Sequence, residues 1–334
     1  MTATPMHLSG LTDSFGKNAG NEALLSELNE IAALAEEAML REAPAMPRFP
    51  VVFVLGPPRS GTTLLSQLIA RCGSFGVIDN FVARFWRAPA FALKVQAALG
   101  LGSRSPAGDL YASTRGVTKG WSEPSEFGYF WSRYFDLGQP THKLGPSERD
   151  RFDRRSLCRS VAAMEMVAGR PMAFKNNTWF TFQADLLAEL FPGCVLVACH
   201  RDAFFVAQSL WLQRMELYGD PTRWWSVRPP DFEDISGQAA ATQVARQASS
   251  IEREMKRSLS AVRGAVVIDA SYRELAAAPR SILGKVMAAA GMDRAEIDST
   301  LHHIPESFEL RDLVRLDATV AADIRAALGE NDRG

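Results

Sequence analysis

The chain has 334 residues, 47% of them hydrophobic, which suffices for a sizeable core in one large α/β domain or two ordinary ones. With 37 basic against 38 acidic residues and a formal net charge of −1, it has no overall field that would draw it to nucleic acid or an anionic membrane, so any anion site must be local. No apolar run approaches the ~18 residues that span a bilayer, and Cys72, Cys158, Cys194 and Cys199 are scattered without a CxxC pair.

The start MTATPMHLSG has neither a basic nor an apolar leader segment, so the expected compartment is a reducing cytoplasm. Residues 1–21 read as a polar arm. Leu24, Leu25, Leu28, Ile31, Leu34 and Ala35 fall at helical spacing and predict a lead-in helix that ends before Pro44 and Pro47. The division expected is an arm and lead-in helix at 1–48 and a single α/β domain at 49–334.

The run Val51-Val52-Phe53-Val54-Leu55 is short, continuous and β-rich, as a strand buried on both faces of a parallel sheet should be. Similar runs at 171–174, 194–199 and 265–268 alternate with helical patterns at 64–70, 182–190, 204–217, 244–262 and 282–290. This alternation predicts a P-loop-type parallel β-sheet flanked by helices. Residues 81–131, rich in tryptophan and phenylalanine, read as a mostly helical insertion lying over the sheet.

Between the first strand and its helix stands Gly56-Pro57-Pro58-Arg59-Ser60-Gly61-Thr62-Thr63. Free backbone N–H groups and the helix dipole favour an anion there. The spacing is that of the nucleotide triphosphatase loop G-x-x-x-x-G-K-[ST], but Thr62 replaces the lysine. Arg59 can stand in as a cation, while no later strand end reads clearly as the acidic residue that helps hold magnesium. A sulfuryl group carries less charge than a phosphoryl group and has less need of a metal, so the altered loop suits sulfuryl transfer better than ATP hydrolysis.

The segment VLGPPRSGTTLL resembles the 5′-phosphosulfate loop of the sulfotransferases, particularly the bacterial and tyrosylprotein branches with a P-R-S-G-T-T core. The resemblance implies PAPS (3′-phosphoadenosine 5′-phosphosulfate) as cosubstrate, released as PAP, with no metal. Pro58, Arg59, Ser60, Gly61, Thr62 and Thr63 would hold the 5′-phosphate and sulfate. It also implies a 3′-phosphate grip by Arg201, in Cys199-His200-Arg201-Asp202, with Ser209 eight residues on. Tyr272, in Tyr272-Arg273-Glu274-Leu275, would pack beside the adenine or be an ordinary strand-end aromatic. The likeness runs from about Phe49 to about Gly291, and the late glycine-rich basic motif of the cytosolic branch is not evident.

An acceptor hydroxyl must lose a proton as charge builds on the departing oxygen, so the site needs a base and a cation. Lys175, in Phe-Lys-Asn-Asn after a strand, resembles the family's catalytic lysine segment, with Asn177 in place of a histidine base, and Arg59 would share its work. Asp79 falls close to where the resemblance puts a glutamate base. Glu126 and Glu123 are rivals, although Pro124 suits a first helical position and would make both mere helix-start acids. His302 and His303 lack partners at ligand spacing.

The tryptophans and phenylalanines near the motifs (Phe81, Phe85, Trp86, Trp121, Trp131, Trp211, Trp224, Trp225) are expected to be mainly core. Any that wall the site would select a small, largely apolar acceptor, with the insertion covering it. The remaining partner expectations are no nucleic acid and no membrane, with a homodimer left open. Two other readings stay open: a P-loop kinase or nucleotide hydrolase, and an inactive nucleotide-binding homologue.

Overall fold

The computed structural model describes residues 19–101, 111, 120–135 and 139–331; most of the expected arm, 1–18, and two stretches of the insertion, 102–110 and 112–119, lie outside them. Strands β1 (Val52–Leu55), β2 (Gly76–Val77), β3 (Met172–Lys175), β4 (Val195–His200) and β5 (Val266–Ser271) form one sheet. Its order is β2-β3-β1-β4-β5 and every pairing is parallel. β1 is continuous in apolar residues because both its faces are covered. Phe53 and Leu55 enter a core with Trp131, Phe174 and Phe180, whereas Val52 and Val54 meet Leu65, Leu68 and Leu283 on the other side.

After β1 the chain builds β2 and β3 on one side, then β4 and β5 on the other, so the sheet switches direction at β1. A crevice opens at the carboxyl ends of strands at such a point, which is where the Gly56 to Thr63 loop lies. The four strands expected from sequence are present, and β5 runs on to Ser271 because an edge strand tolerates the exposed Asp269. β2 went unread because two residues carry no periodicity. The helix Arg154–Ala168 also went unread; its start is capped by Asp153, and Leu157, Val161 and Met164 face the core.

Two buried carboxylates tie outlying pieces to this frame. Glu165 accepts from the backbone N–H groups of Arg48 and Phe49, both at 2.9 Å, and fixes the approach to β1. Glu36, on the lead-in helix Ala19–Glu42, accepts from Ala90 and Phe91 N–H at the start of the helix Pro89–Ala98. Burial raises the Glu36 pKa against the opposing pull of these two bonds. The described part of the insertion is thus anchored from outside by a carboxylate at a helix N-terminus.

Arg214 is fully buried on the helix Ala203–Tyr218. It donates to Pro221 O, Gln243 Oε1 and Gln247 Oε1 at 2.7 to 2.9 Å, and its guanidinium lies 4.8 Å from the Trp224 ring centroid. Gln247 in turn donates to Trp225 O and Val227 O, so the network pins the loop that leaves this helix. Burial pulls the Arg214 pKa down to about 10, because its acceptors are neutral. Arg214→Ala is expected to cost about 3 kcal/mol by orphaning two glutamine carbonyls and emptying space beneath Trp224. Urea unfolding followed by circular dichroism measures this, and a loss below about 0.5 kcal/mol contradicts the account.

Candidate active site

The loop after β1 is shaped by its carbonyls. Arg59, a non-glycine residue, has φ 68°, a left-handed conformation that costs on the order of 1–2 kcal/mol. Its carbonyl accepts from Arg201 Nη1 at 2.8 Å. Asn177 Nδ2 donates to Gly56 O at 2.6 Å and Pro57 O at 3.0 Å, and Ser60 Oγ donates to Pro57 O at 2.7 Å. Thr62 Oγ1 donates to Asn177 Oδ1 at 3.2 Å. With the carbonyls turned inward, the helix Thr62–Cys72 starts without a side-chain cap. That N-terminus is a ready anion site.

Space, as well as φ, requires glycine at two points. A Cβ on Gly56 would lie 2.5 Å from Cys199 O, and one on Gly61 2.9 Å from Tyr272 Cδ2. Tyr272 follows β5 and its ring lies under the Arg201 guanidinium, 4.4 Å from centroid to Cζ. The three segments singled out in the sequence therefore meet: the loop, the end of β4 and the start of the helix Tyr272–Ala277.

Arg201 is more fully engaged than a waiting phosphate ligand. Nε and Nη2 both donate to Asp312 Oδ1, at 3.0 and 2.8 Å, and Nη2 also donates to Arg311 O at 2.7 Å. Ser209 is buried one turn beyond Phe205 on the same helix as Gln208. Gln208 holds the segment that carries Asp312, donating to Leu313 O at 2.8 Å and accepting from Arg315 N at 2.7 Å. Arg59 has its pKa pulled down by burial first, then by repulsion from Arg201, Arg315 and Arg311, with Tyr272 opposing. Arg201, Arg311 and Arg315 thus lie close enough to repel Arg59, and Asp312 pairs with Arg201, an arrangement that suits a ligand with several negative charges. Arg311, Asp312 and Arg315 escaped the sequence reading; they form no spaced motif, and only their local charge could have marked them.

Lys175 ends β3, paired in register with Val54, one residue before Leu55 and the loop. Its ammonium forms an ion pair with Glu126, whose side chain stays 47% exposed while that of Lys175 is buried. Asn176 reinforces the contact by donating to Glu126 O at 3.0 Å. Glu126 does not start a helix as Pro124 suggested. Phe127 takes φ 54°, and the helix Gly128–Phe135 begins only after that left-handed turn. Pro124 instead bridges to Asp79, and Glu123 is held by Arg71 at 2.7 Å. Asp79 is buried, with Oδ1 accepting from Val82 N and Oδ2 from Gln96 Nε2.

The large aromatics named from the sequence do not gather at the loop. Trp131 is core, Trp211 and Trp225 pack against the last helix, Trp224 lies on Arg214, and Trp121 is exposed. Among the described residues no group of three or more His, Cys, Asp or Glu side chains could hold a metal ion. No helix among them is long and apolar enough to cross a membrane. All four cysteines are free.

His200 points away from the loop, with Nδ1 2.7 Å from Glu252 and Nε2 3.0 Å from Asp269. The Glu252 hydrogen bond is the largest cause of a raised His200 pKa, opposed by burial. Because the folded value is raised, this stabilisation is complete below the ordinary histidine pKa near 6.5 and is lost as pH rises through the folded value. Unfolding midpoints compared at about pH 6 and about pH 8.5 should show that loss in the parent and not in His200→Gln. Equal slopes would contradict it.

An uncapped helix start behind a glycine loop at the switch point of a parallel sheet, with Arg59 and Arg201 beside it, defines a P-loop-type α/β protein. The sulfotransferase family model matches residues 50–296, and the chain belongs to that family. Membership makes it a transferase of sulfuryl groups. Among solved structures it is similar to sulfotransferase STF9 from Mycobacterium avium, at 16% identity over 97% of this chain and 87% of that one, with a TM-score of 0.51. It is also similar to sulfotransferase STF1 from Mycobacterium tuberculosis H37Rv, at 18% identity over 95% and 88% of the two chains, with a TM-score of 0.46. No curated protein is significantly similar in sequence.

Proposed function

We propose that the protein transfers a sulfuryl group from PAPS to the hydroxyl, rather than an amine, of a small, largely apolar acceptor and releases PAP. The observation that carries this reading is the Glu126 and Lys175 ion pair on the strand next to the loop. PAPS, with phosphates at both ends, matches the excess of arginine over carboxylate around Arg59. The loop and helix start would take the 5′-phosphosulfate, and Arg311 and Arg315 would add to Arg201 and Ser209 at the other end.

In the transfer the acceptor oxygen bonds to sulfur as its proton passes to Glu126, and the bond from sulfur to the 5′-phosphate oxygen breaks. Negative charge developing on that leaving oxygen would be met by Lys175, Arg59 and the helix amides. Glu126 suits the base better than Asp79 because both Asp79 oxygens already accept from N–H groups in a buried place. Asp79 then serves as a brace for the segment at 79–84. The apolar acceptor follows from the aromatic-rich composition of the segment at 81–131, of which Phe81 and Phe85 are half-buried.

Stabilisation by a ligand follows its concentration over its dissociation constant, about 2.7 kcal/mol at a hundredfold excess. A thermal shift should therefore respond to PAP, and ATP with magnesium binding more tightly than PAP would overturn the reading in favour of a kinase or hydrolase. Glu126→Gln should lower kcat by about a hundredfold or more, with the donor KM within about threefold. Asp79→Asn should lower the melting temperature and leave kcat per folded enzyme near the parent value. The reverse pattern in steady-state assays would exchange the two roles.

A further inference from the structure

We propose that Asp312 is a positioning residue for the donor phosphates, an internal anion that latches the strap at 308–315 onto the phosphate-binding loop and so brings Arg311 and Arg315 to Arg59. This rests on the sulfuryl-donor reading above. The strap has no regular secondary structure and lies beyond residue 296, where the family match ends. It is nevertheless held at several points. Phe308 N donates to Ala276 O at 2.7 Å, Arg201 Nη2 to Arg311 O at 2.7 Å, and Gln208 bonds Leu313 O and Arg315 N.

Asp312 is the charged centre of these ties. Its side chain is 9% exposed and that of Arg201 is 8%, so the pair is shielded from water and weakly screened. Arg273 Nη2 stands 3.9 Å from the second oxygen. With Nε and Nη2 on Asp312 and Nη1 on Arg59 O, all three Arg201 nitrogens are engaged. Arg201 therefore acts first as a clamp between loop and strap. The exposed Arg311 and Arg315, close enough to repel Arg59, are the cations the clamp presents.

Two effects of Asp312 oppose each other, and their balance makes the test sharp. Its charge alone weakens any anion bound among the arginines, whereas its bonds hold the cations in place. If positioning wins, removing Asp312 weakens donor binding; if bare charge wins, removal tightens it. In Asp312→Ala, calorimetry should find PAP binding weakened about tenfold or more, and kinetics a donor KM raised accordingly with kcat within about threefold. Asp312→Asn keeps an acceptor oxygen without the charge and should weaken PAP by about threefold, which holds the test if the alanine variant does not fold.

Hydrogen exchange without ligand is the second arm. Peptides covering 308–316 should lose protection in Asp312→Ala while those covering β1 and β4 do not. Unchanged or tighter PAP binding in the variants, or unchanged strap protection, overturns the latch. If the parent itself fails to bind PAP, the donor reading falls, and the exchange arm still decides whether Asp312 holds the strap.

Discussion

Arg59 can stay in a left-handed turn because its carbonyl is bonded by a side chain from another strand end, and the anion site depends on that turn. In an isolated strand-loop-helix unit the carbonyls at Gly56, Pro57 and Arg59 would compete with the amides for the concave side of the loop. Asn177 from the end of β3 takes the first two and Arg201 from the end of β4 takes the third. The two strands that flank β1 therefore shape the loop as well as cover it. The sheet order is a condition of this bracing, since β1 has β3 on one side and β4 on the other.

The same arrangement explains why a loop without the usual lysine can still serve an anion. A guanidinium is effectively always charged, so placing Arg59 among Arg201, Arg311 and Arg315 stores repulsion that an anionic ligand relieves. Lys175 differs in kind. It is buried, paired to one half-exposed carboxylate, and sits at the strand end beside the loop. In the proposed transfer a compact ammonium in that position would follow charge as it moves to a leaving oxygen, while the arginines would hold the rest of the donor still.

Much of this was legible in the sequence, and the limits have physical causes. β1, β3 and β4 showed as continuous apolar runs because both their faces are buried, β5 showed by the apolar start of an edge strand, and the loop showed because its glycines and its strand-to-helix setting are local properties. The helix-start alternative for Glu126, a candidate base, arose because nothing in Pro124-Ser125-Glu126-Phe127 announces that Phe127 will take a positive φ. Asp79 was ranked by its distance along the chain, which carries no information about Gln96 reaching back to it. In the helix Arg154–Ala168, Arg154, Arg155 and Arg159 dilute the apolar periodicity of its first half.

Arg201 shows the deepest of these limits. Its position after β4 identified the residue, but its partner Asp312 lies 111 residues further on and is delivered by the fold alone. Beyond the strap comes the helix Ala318–Asn331, whose Ala321, Ile324 and Ala327 pack on Phe204, Leu210, Val244 and Ala248 of two helices beside the sheet. One of these, Ala203–Tyr218, begins two residues after Arg201 and carries Gln208. The strap is thus tied at Arg201 and Gln208 and anchored at its far end by apolar contacts to the same helix. Its length is fixed between those points, so the positions of Arg311 and Arg315 depend on how the helix Ala318–Asn331 packs on Ala203–Tyr218.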